Sequence, residues 1–194
     1  SGFALGGAGV RSLAQVLLAV IVVPTALELR GVCFFDIDTK GMLAFDNFAL
    51  LFSLIAALCT LIFVLLSGKD MERVGKSYSD YFALIFFILA GIVISSAFQS
   101  LLLLFLGIEI ISIPPYILAG SDKHNLKSNE ASLKYFLMGS FSTGLLLMGI
   151  ALVYGATGTF STVNMQVSTE TVPVLFLAGL LLLMFAISFK ASAA

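Results

Sequence analysis

Six apolar stretches, separated by short polar segments, set the organisation of the chain. They cover residues 12–29, 44–66, 81–97, 101–119, 131–154 and 172–194. A transmembrane helix needs about 20 mostly apolar residues, and each stretch meets or approaches that length. None of them alternates apolar and polar residues as a barrel strand does. Since only structures with an internally bonded backbone are stable in lipid, the pattern predicts an all-α, polytopic transmembrane bundle.

The pattern also predicts how the stretches are connected. Only a turn near Phe98–Ser100 joins the third stretch to the fourth, which favours an antiparallel pair of helices. The chain begins without a methionine and stops inside an apolar run. We therefore expect residues 1–194 to form a single membrane domain that is truncated at both ends.

Basic residues are divided unevenly between the loops. One side of the predicted bundle has only Arg30 and Lys40, and the other has Arg11, Lys69, Arg73, Lys76, Lys123 and Lys127. Loops rich in lysine and arginine usually stay in the cytoplasm. This asymmetry predicts that loops 67–80 and 120–130 are cytoplasmic.

Composition narrows the functional classes. The chain is 60% hydrophobic and 11% charged, with a net charge of −1, which excludes a soluble enzyme domain, a disordered tail and a nucleic-acid binder. Cys33 and Cys59 are far apart and have no CxxC spacing or histidine partner, so they predict no metal site. We also find no dinucleotide-binding or P-loop motif and expect this chain to bind no cofactor itself.

Glu109 is the acidic residue with the least expected position, because it lies in the middle of the fourth apolar stretch. A charge at that depth costs at least ~2.5 kcal/mol on insertion scales. A protonated or hydrogen-bonded glutamate that holds two helices together is one interpretation. We favour a proton or ion pathway, which is the usual role of carboxylates inside membranes.

Two prolines follow this glutamate within two helical turns. Pro114 and Pro115 lack backbone N–H groups, so the carbonyls of Ile110 and Ile111 lose their usual donors. This predicts a helix kink with free acceptors next to the acid. An ordinary kink near the end of a span is the alternative.

Two lysines also fall inside apolar stretches. Lys134 lies about one turn into the fifth stretch, where it would either have a buried role or extend to the interface and pair with Glu130 at i, i+4. Lys190 lies about 27 Å into the last stretch at the usual helical rise. A regular helix would carry it to the far interface, whereas a broken helix would leave it in the middle of the membrane.

Two segments resemble one family closely. Residues 105–120 read FLGIEIISIPPYILAG, and residues 128–158 read SNEASLKYFLMGSFSTGLLLMGIALVYGATG. They are similar to subunit N (subunit 2) of proton-translocating NADH:quinone oxidoreductase, respiratory complex I, one of its antiporter-like membrane subunits. The resemblance implies that the chain covers helices two to seven of about fourteen.

The resemblance also implies roles for three residues. Glu109 matches the essential glutamate of the family's fifth helix, Lys134 matches a sixth-helix lysine, and Lys190 matches the lysine of a discontinuous seventh helix. Ser-Phe-Lys stands here in place of the commoner Gly-Phe-Lys, which leaves the position of the helix break open. Together the three residues would form a proton relay in which Glu109 modulates Lys190 and Lys134 passes protons from the cytoplasmic side.

For the parent assembly, the resemblance implies electron transfer from NADH to quinone through FMN and iron–sulfur clusters. This chain would be a subunit without a redox site in a bacterial inner membrane, in contact with lipid and with neighbouring antiporter-like subunits. Two other functions stay open: a subunit of a multisubunit cation/proton antiporter, and a purely structural membrane subunit.

Overall fold

The computed structural model describes residues 7–32, 39–67, 78–166 and 173–191, and within these ranges the chain forms helices and no strand. Cys33 and the lysines and arginine of loop 68–77 lie outside the described residues. The predicted all-α fold is confirmed. The six helices are α1 (Gly7–Glu28), α2 (Asn47–Leu66), α3 (Tyr78–Ser96), α4 (Leu101–Ala119), α5 (Leu126–Thr157) and α6 (Val174–Lys190).

Helices α1 to α5 are each long and apolar enough to cross a membrane, so the chain is an integral, multi-pass membrane protein. Helix α6 has 17 residues and is shorter than the predicted stretch 172–194. Helix α5 is longer than the predicted stretch 131–154. It begins at Leu126 because the Asn125 side chain accepts a hydrogen bond from the Lys127 N–H (3.0 Å) and caps a polar first turn.

The helices pack as two groups of three, each around its own apolar cluster. The first cluster joins α1, α2 and α3 through Ala14, Leu18, Ala57, Val64, Phe82 and Leu89. The second joins α4, α5 and α6 through Leu101, Leu146, Ile150, Val153, Leu183 and Ala186. Helices α3 and α4 pack against each other and connect the two groups.

Two helix pairs approach closely at glycine. Between α3 and α4, a Cβ added to Gly107 would lie 2.9 Å from the Cβ of Ser95. Between α5 and α6, a Cβ added to Gly149 would lie 3.0 Å from the carbonyl oxygen of Gly179. Small residues let helix backbones approach in membranes, where close packing replaces the hydrophobic effect. The spacing of α6 from α5 therefore depends on these glycines.

A set of backbone hydrogen bonds joins the two groups at one end of the bundle. The Gln99 N–H donates to the Met42 carbonyl (2.9 Å), and the Gln99 carbonyl accepts from the Thr162 N–H (3.0 Å). We call segments 42–44, 97–101 and 160–162 the three-segment junction. It fixes the turn between α3 and α4 against the segment before α2 and the segment after α5.

At the opposite end, Arg11 fastens α1 to α2. Its guanidinium donates to the carbonyls of Val64 (3.2 Å) and Leu65 (2.5 Å). Carbonyls in the last turn of a helix lack partners within the helix, and a cation there also interacts favourably with the helix dipole. Arg11 therefore lies at the end of the bundle where α2 leads into loop 67–80.

The close packing of α5 on α6 is testable with two alanine variants of the full-length protein. Gly149→Ala should lower the free energy of unfolding by about 1–3 kcal/mol, because the new methyl group is forced against the backbone of α6. Gly144→Ala on the same helix is the matched control, since a Cβ there meets nothing within 4 Å. Thermal unfolding in detergent measures both, and equal midpoints for the two variants would contradict the packing argument.

Candidate functional site

The two ionisable residues at the centre of the site come from α4 and α6. Glu109 lies near the middle of α4, and Lys190 is the last residue of α6. Their side chains meet, with the Lys190 Nζ 3.0 Å from the Glu109 Oε1. The structure therefore places Lys190 beside the middle of α4. A position in the middle of the membrane at a broken helix stays a prediction.

Contacts with α5 position the end of α6 that carries the lysine. Helix α6 packs along α5, where the Ser142 hydroxyl donates to the Ala186 carbonyl at 3.0 Å. The helix then ends at Lys190, and Ala191 follows as its C-cap. A cation in the last turn interacts favourably with the helix dipole. The ammonium group is therefore stabilised both by the helix end and by the carboxylate opposite.

Hydroxyl groups complete the hydrogen bonding of the ion pair. The Thr143 hydroxyl, on α5, donates to the Glu109 Oε1 at 2.6 Å. The Lys190 Nζ also donates to the Ser112 Oγ at 2.9 Å, and Ser112 in turn donates to the Ile108 carbonyl at 2.6 Å. Each member of the pair thus has a neutral partner as well as a charged one, which strengthens both charged forms.

The exposure of the two side chains determines how much the Glu109–Lys190 ion pair contributes to stability. The Lys190 side chain is 15% exposed and the Glu109 side chain is 22% exposed. Ion pairs in water-exposed positions contribute little to stability, whereas an uncompensated charge in an apolar interior is costly. Each charge therefore makes the other tolerable inside the bundle.

Lys134 occupies a different environment. Its Nζ lies 2.6 Å from the Glu130 Oε1 on the same helix, with the two side chains 69% and 63% exposed. This is the i, i+4 arrangement that we considered as the alternative to a buried role. The structure does not bring Lys134 to the Glu109–Lys190 pair.

The prolines lie one turn beyond the pair. Helix α4 continues through Pro114 and Pro115 as far as Ala119, and Pro114 is buried. A kink at these residues stays a prediction. Among the described residues, no group of three or more histidine, cysteine, aspartate or glutamate side chains is placed to hold a metal ion.

Sequence reasoning assigned neither Thr143 nor Tyr116 to the site. Tyr116 is buried, and its hydroxyl lies against the backbone of Gly139. The spacing of Glu109, Ser112 and Tyr116 along α4 is i, i+3 and i+7, which places them on one face of the helix. That spacing is the sequence signal from which Tyr116 was recoverable.

Comparison with known proteins identifies the family of the chain that carries this ion pair. A family model described as "NADH:quinone oxidoreductase/Mrp antiporter, TM" matches residues 98–194, half of the chain and the half that holds the ion pair. The chain belongs to this family.

Curated relatives support the same family assignment. The chain is 42% identical over 153 residues to NADH-quinone oxidoreductase subunit N of Cytophaga hutchinsonii, covering 79% of this chain and 33% of the relative. It is 40% identical over 183 residues to subunit N of Flavobacterium johnsoniae, covering 89% of this chain and 40% of the relative. The chain thus spans no more than about two fifths of the length of these relatives.

Solved structures show the same antiporter-like fold. In respiratory complex I from Thermus thermophilus, one chain superposes with a TM-score of 0.76 at 29% identity, covering 98% of this chain and 40% of that one. A chain of the archaeal membrane-bound sulfane sulfur reductase superposes with a TM-score of 0.79 at 24% identity, over 96% of this chain and 39% of that one. The second match, at that identity, shows the fold alone. The predicted antiporter-like fold is confirmed.

The mutual dependence of the two charges is testable in the full-length antiporter-family protein. Lys190→Met should lower the free energy of unfolding by about 3 kcal/mol, because it leaves Glu109 with no counter-charge. The double variant Glu109→Gln/Lys190→Met should lose less than the single one, since no charge is left behind. Lys134→Met, which breaks an exposed pair, should change stability by less than about 1 kcal/mol. Additive losses in the double variant, measured by thermal unfolding, would contradict the coupling.

Proposed function

We propose that the chain is part of a proton-translocating membrane subunit of NADH:quinone oxidoreductase, and that the Glu109–Lys190 pair moves protons by changing its charge. The observation that supports this most directly is the ion pair itself, 3.0 Å between Nζ and Oε1 and mostly buried between apolar helices. Stable packing alone does not require a carboxylate and an ammonium at this depth.

The proposed mechanism follows from the electrostatics of the pair. While the two groups are in contact, each stabilises the charge of the other; when they separate, each is left in an apolar setting that favours its neutral form. Separation therefore drives Lys190 to release a proton and Glu109 to take one up, and contact reverses both changes.

The hydroxyls around the pair fit this cycle. Thr143 donates to the carboxylate, and Ser112 accepts from the ammonium, so each supports the charged form of its partner. A hydroxyl can also turn and exchange donation for acceptance. The two charged residues thus have polar neighbours in both states of the cycle.

Other parts of the proposed assembly carry the redox chemistry. Electron transfer from NADH to quinone through FMN and iron–sulfur clusters would take place in other subunits, and this chain would contribute no redox site. Its large exposed hydrophobic side chains, such as Phe48, Leu66 and Phe141, would face lipid or neighbouring membrane subunits. We expect a bacterial inner membrane with loops 67–80 and 120–130 in the cytoplasm.

A cation/proton antiporter subunit is the second candidate function. The matching family model covers both the oxidoreductase and the antiporter, and an acid–lysine pair serves either. Growth that depends on the chain in high sodium, with no effect on NADH oxidation, would favour the antiporter. A structural role is the third possibility, in which Glu109 only holds helices together.

A role for Lys134 in carrying protons from the cytoplasmic side stays a prediction. Its exposed pairing with Glu130 supports a surface ion pair within this chain. A functional role would require another helix or subunit to cover this face of α5.

The proposed function is tested by Glu109→Gln and Glu109→Asp in the full-length subunit of the intact complex. NADH-driven proton pumping into membrane vesicles should fall at least about tenfold in Glu109→Gln, since the side chain no longer ionises, and Glu109→Asp should keep part of the activity. Asp80→Asn, at an exposed position in the first turn of α3, is the control for loss of one carboxylate. Normal pumping by Glu109→Gln would refute the proposal.

A further inference from the structure

Polar groups continue from the ion pair along the contact between α4 and α5, towards loop 120–125. On α4 they are the side chains of Ser112 and Tyr116. On α5, the Ser132 hydroxyl donates to the Tyr116 carbonyl (2.7 Å), and the Ser128 hydroxyl donates to the Ala119 carbonyl (2.6 Å). We call these four residues the α4–α5 polar seam. It joins the middle of the bundle to the end from which α5 begins.

Ser112 links the seam to the ion pair. Its hydroxyl oxygen accepts a hydrogen bond from the Lys190 Nζ at 2.9 Å, and Tyr116 follows it one helical turn further along the same face of α4. A serine hydroxyl has one proton to donate and two lone pairs to accept with. It is therefore equipped to pass a proton between a phenol on one side and an amine on the other.

Packing around Tyr116 fixes the position of its side chain. Its side chain is only 8% exposed, and a Cβ on Gly139 would lie 2.0 Å from the phenol oxygen, so the glycine leaves room for the hydroxyl. The rings of Tyr135 and Phe136 contact the Tyr116 ring edge-on, with centroids 4.7 Å and 5.9 Å away. The phenol is thus fixed one turn from Ser112 on the side of loop 120–125.

Lys134 does not lie along the α4–α5 polar seam. Its ammonium is on the exposed side of α5 with Glu130, whereas the seam follows the side of α5 that packs on α4. Thr143, which contacts Glu109, is nine residues further along α5, a rotation of about half a turn at the usual helical geometry. A proton at Lys134 would have to pass around the helix to reach the pair.

We propose that protons reach the Glu109–Lys190 pair along the α4–α5 polar seam, through the hydroxyls of Tyr116 and Ser112, with water filling the gap to loop 120–125. This inference rests on the proposed function. It makes Tyr116 and Ser112 proton-carrying residues of the site.

The transfer conserves protons at each hydroxyl. A hydronium ion protonates the Tyr116 oxygen as that oxygen gives its own proton to Ser112. The Ser112 hydroxyl turns its proton from the Ile108 carbonyl to the neutral amine of Lys190 and gives it to that amine, which becomes an ammonium. One O–H bond forms for each that breaks on Tyr116 and Ser112, and the new N–H bond holds the delivered proton. Rotation of the two hydroxyls then restores the starting arrangement.

The test is Tyr116→Phe in the intact complex, since it removes the hydroxyl and keeps the ring contacts. We expect NADH-driven proton pumping to slow about tenfold, as expected when one hydrogen bond of ~1.4 kcal/mol is lost from the rate-limiting step. The solvent deuterium isotope effect on pumping should increase, because proton delivery becomes limiting. Loss of packing alone would not change that isotope effect.

Tyr154→Phe is the matched control, because it makes the same change near the other end of α5, where the ring stacks on Phe160. Ser112→Ala should resemble Tyr116→Phe, and Ser112→Thr should restore pumping because it restores the hydroxyl. Equal assembly of each variant in the membrane is checked by immunoblotting. These serine variants test the seam independently of the aromatic cluster.

Two results would overturn the inference. The first is that Tyr116→Phe pumps protons at the wild-type rate with the wild-type isotope effect. The second is that Lys134→Met loses proton pumping while Tyr116→Phe keeps it. Glu109→Gln in the same vesicles separates this failure from that of the proposed function. If Glu109→Gln stops pumping while Tyr116→Phe does not, the route is wrong and the function stands. If neither variant has an effect, the proposed function fails as well.

Discussion

A carboxylate halfway across an apolar bundle requires a counter-charge, and the site is arranged around that requirement. Glu109 receives the Lys190 ammonium and the Thr143 hydroxyl on the same oxygen. Lys190 of α6 supplies the ammonium, and Thr143 of α5 supplies the hydroxyl. The partly buried carboxylate therefore constrains how two further helices pack against α4.

Close helix packing makes this geometry attainable. Helices α5 and α6 approach at Gly149 and Gly179, and the buried Ser142 hydroxyl ties α5 to the Ala186 carbonyl one turn before Lys190. In lipid the apolar surroundings do not drive helices together, so such close contacts have to come from small residues and hydrogen bonds between helices. The same contacts that stabilise the second group of helices thus set the distance between the two charges.

Much of the fold was predictable from hydropathy, whereas the site was predictable only in part. Glu109 stands out in the sequence because everything around it is apolar. The meeting of Lys190 with Glu109 was not predictable from hydropathy, since it depends on how α6 packs against α4 and α5. Helix α5 begins before the predicted apolar stretch because Asn125 caps a first turn that is polar and therefore invisible to hydropathy. The spacing along α4 places Tyr116 on the face of Glu109, but its contact with Gly139 of another helix was not predictable from the sequence.

The three-segment junction has a consequence for which substitutions the turn between α3 and α4 can accept. Its central bonds run through the backbone of Gln99, so a change of side chain there leaves them in place, and only proline would remove the donor. The link between the two helix groups at this end therefore rests on backbone groups, and most substitutions at position 99 should leave it intact.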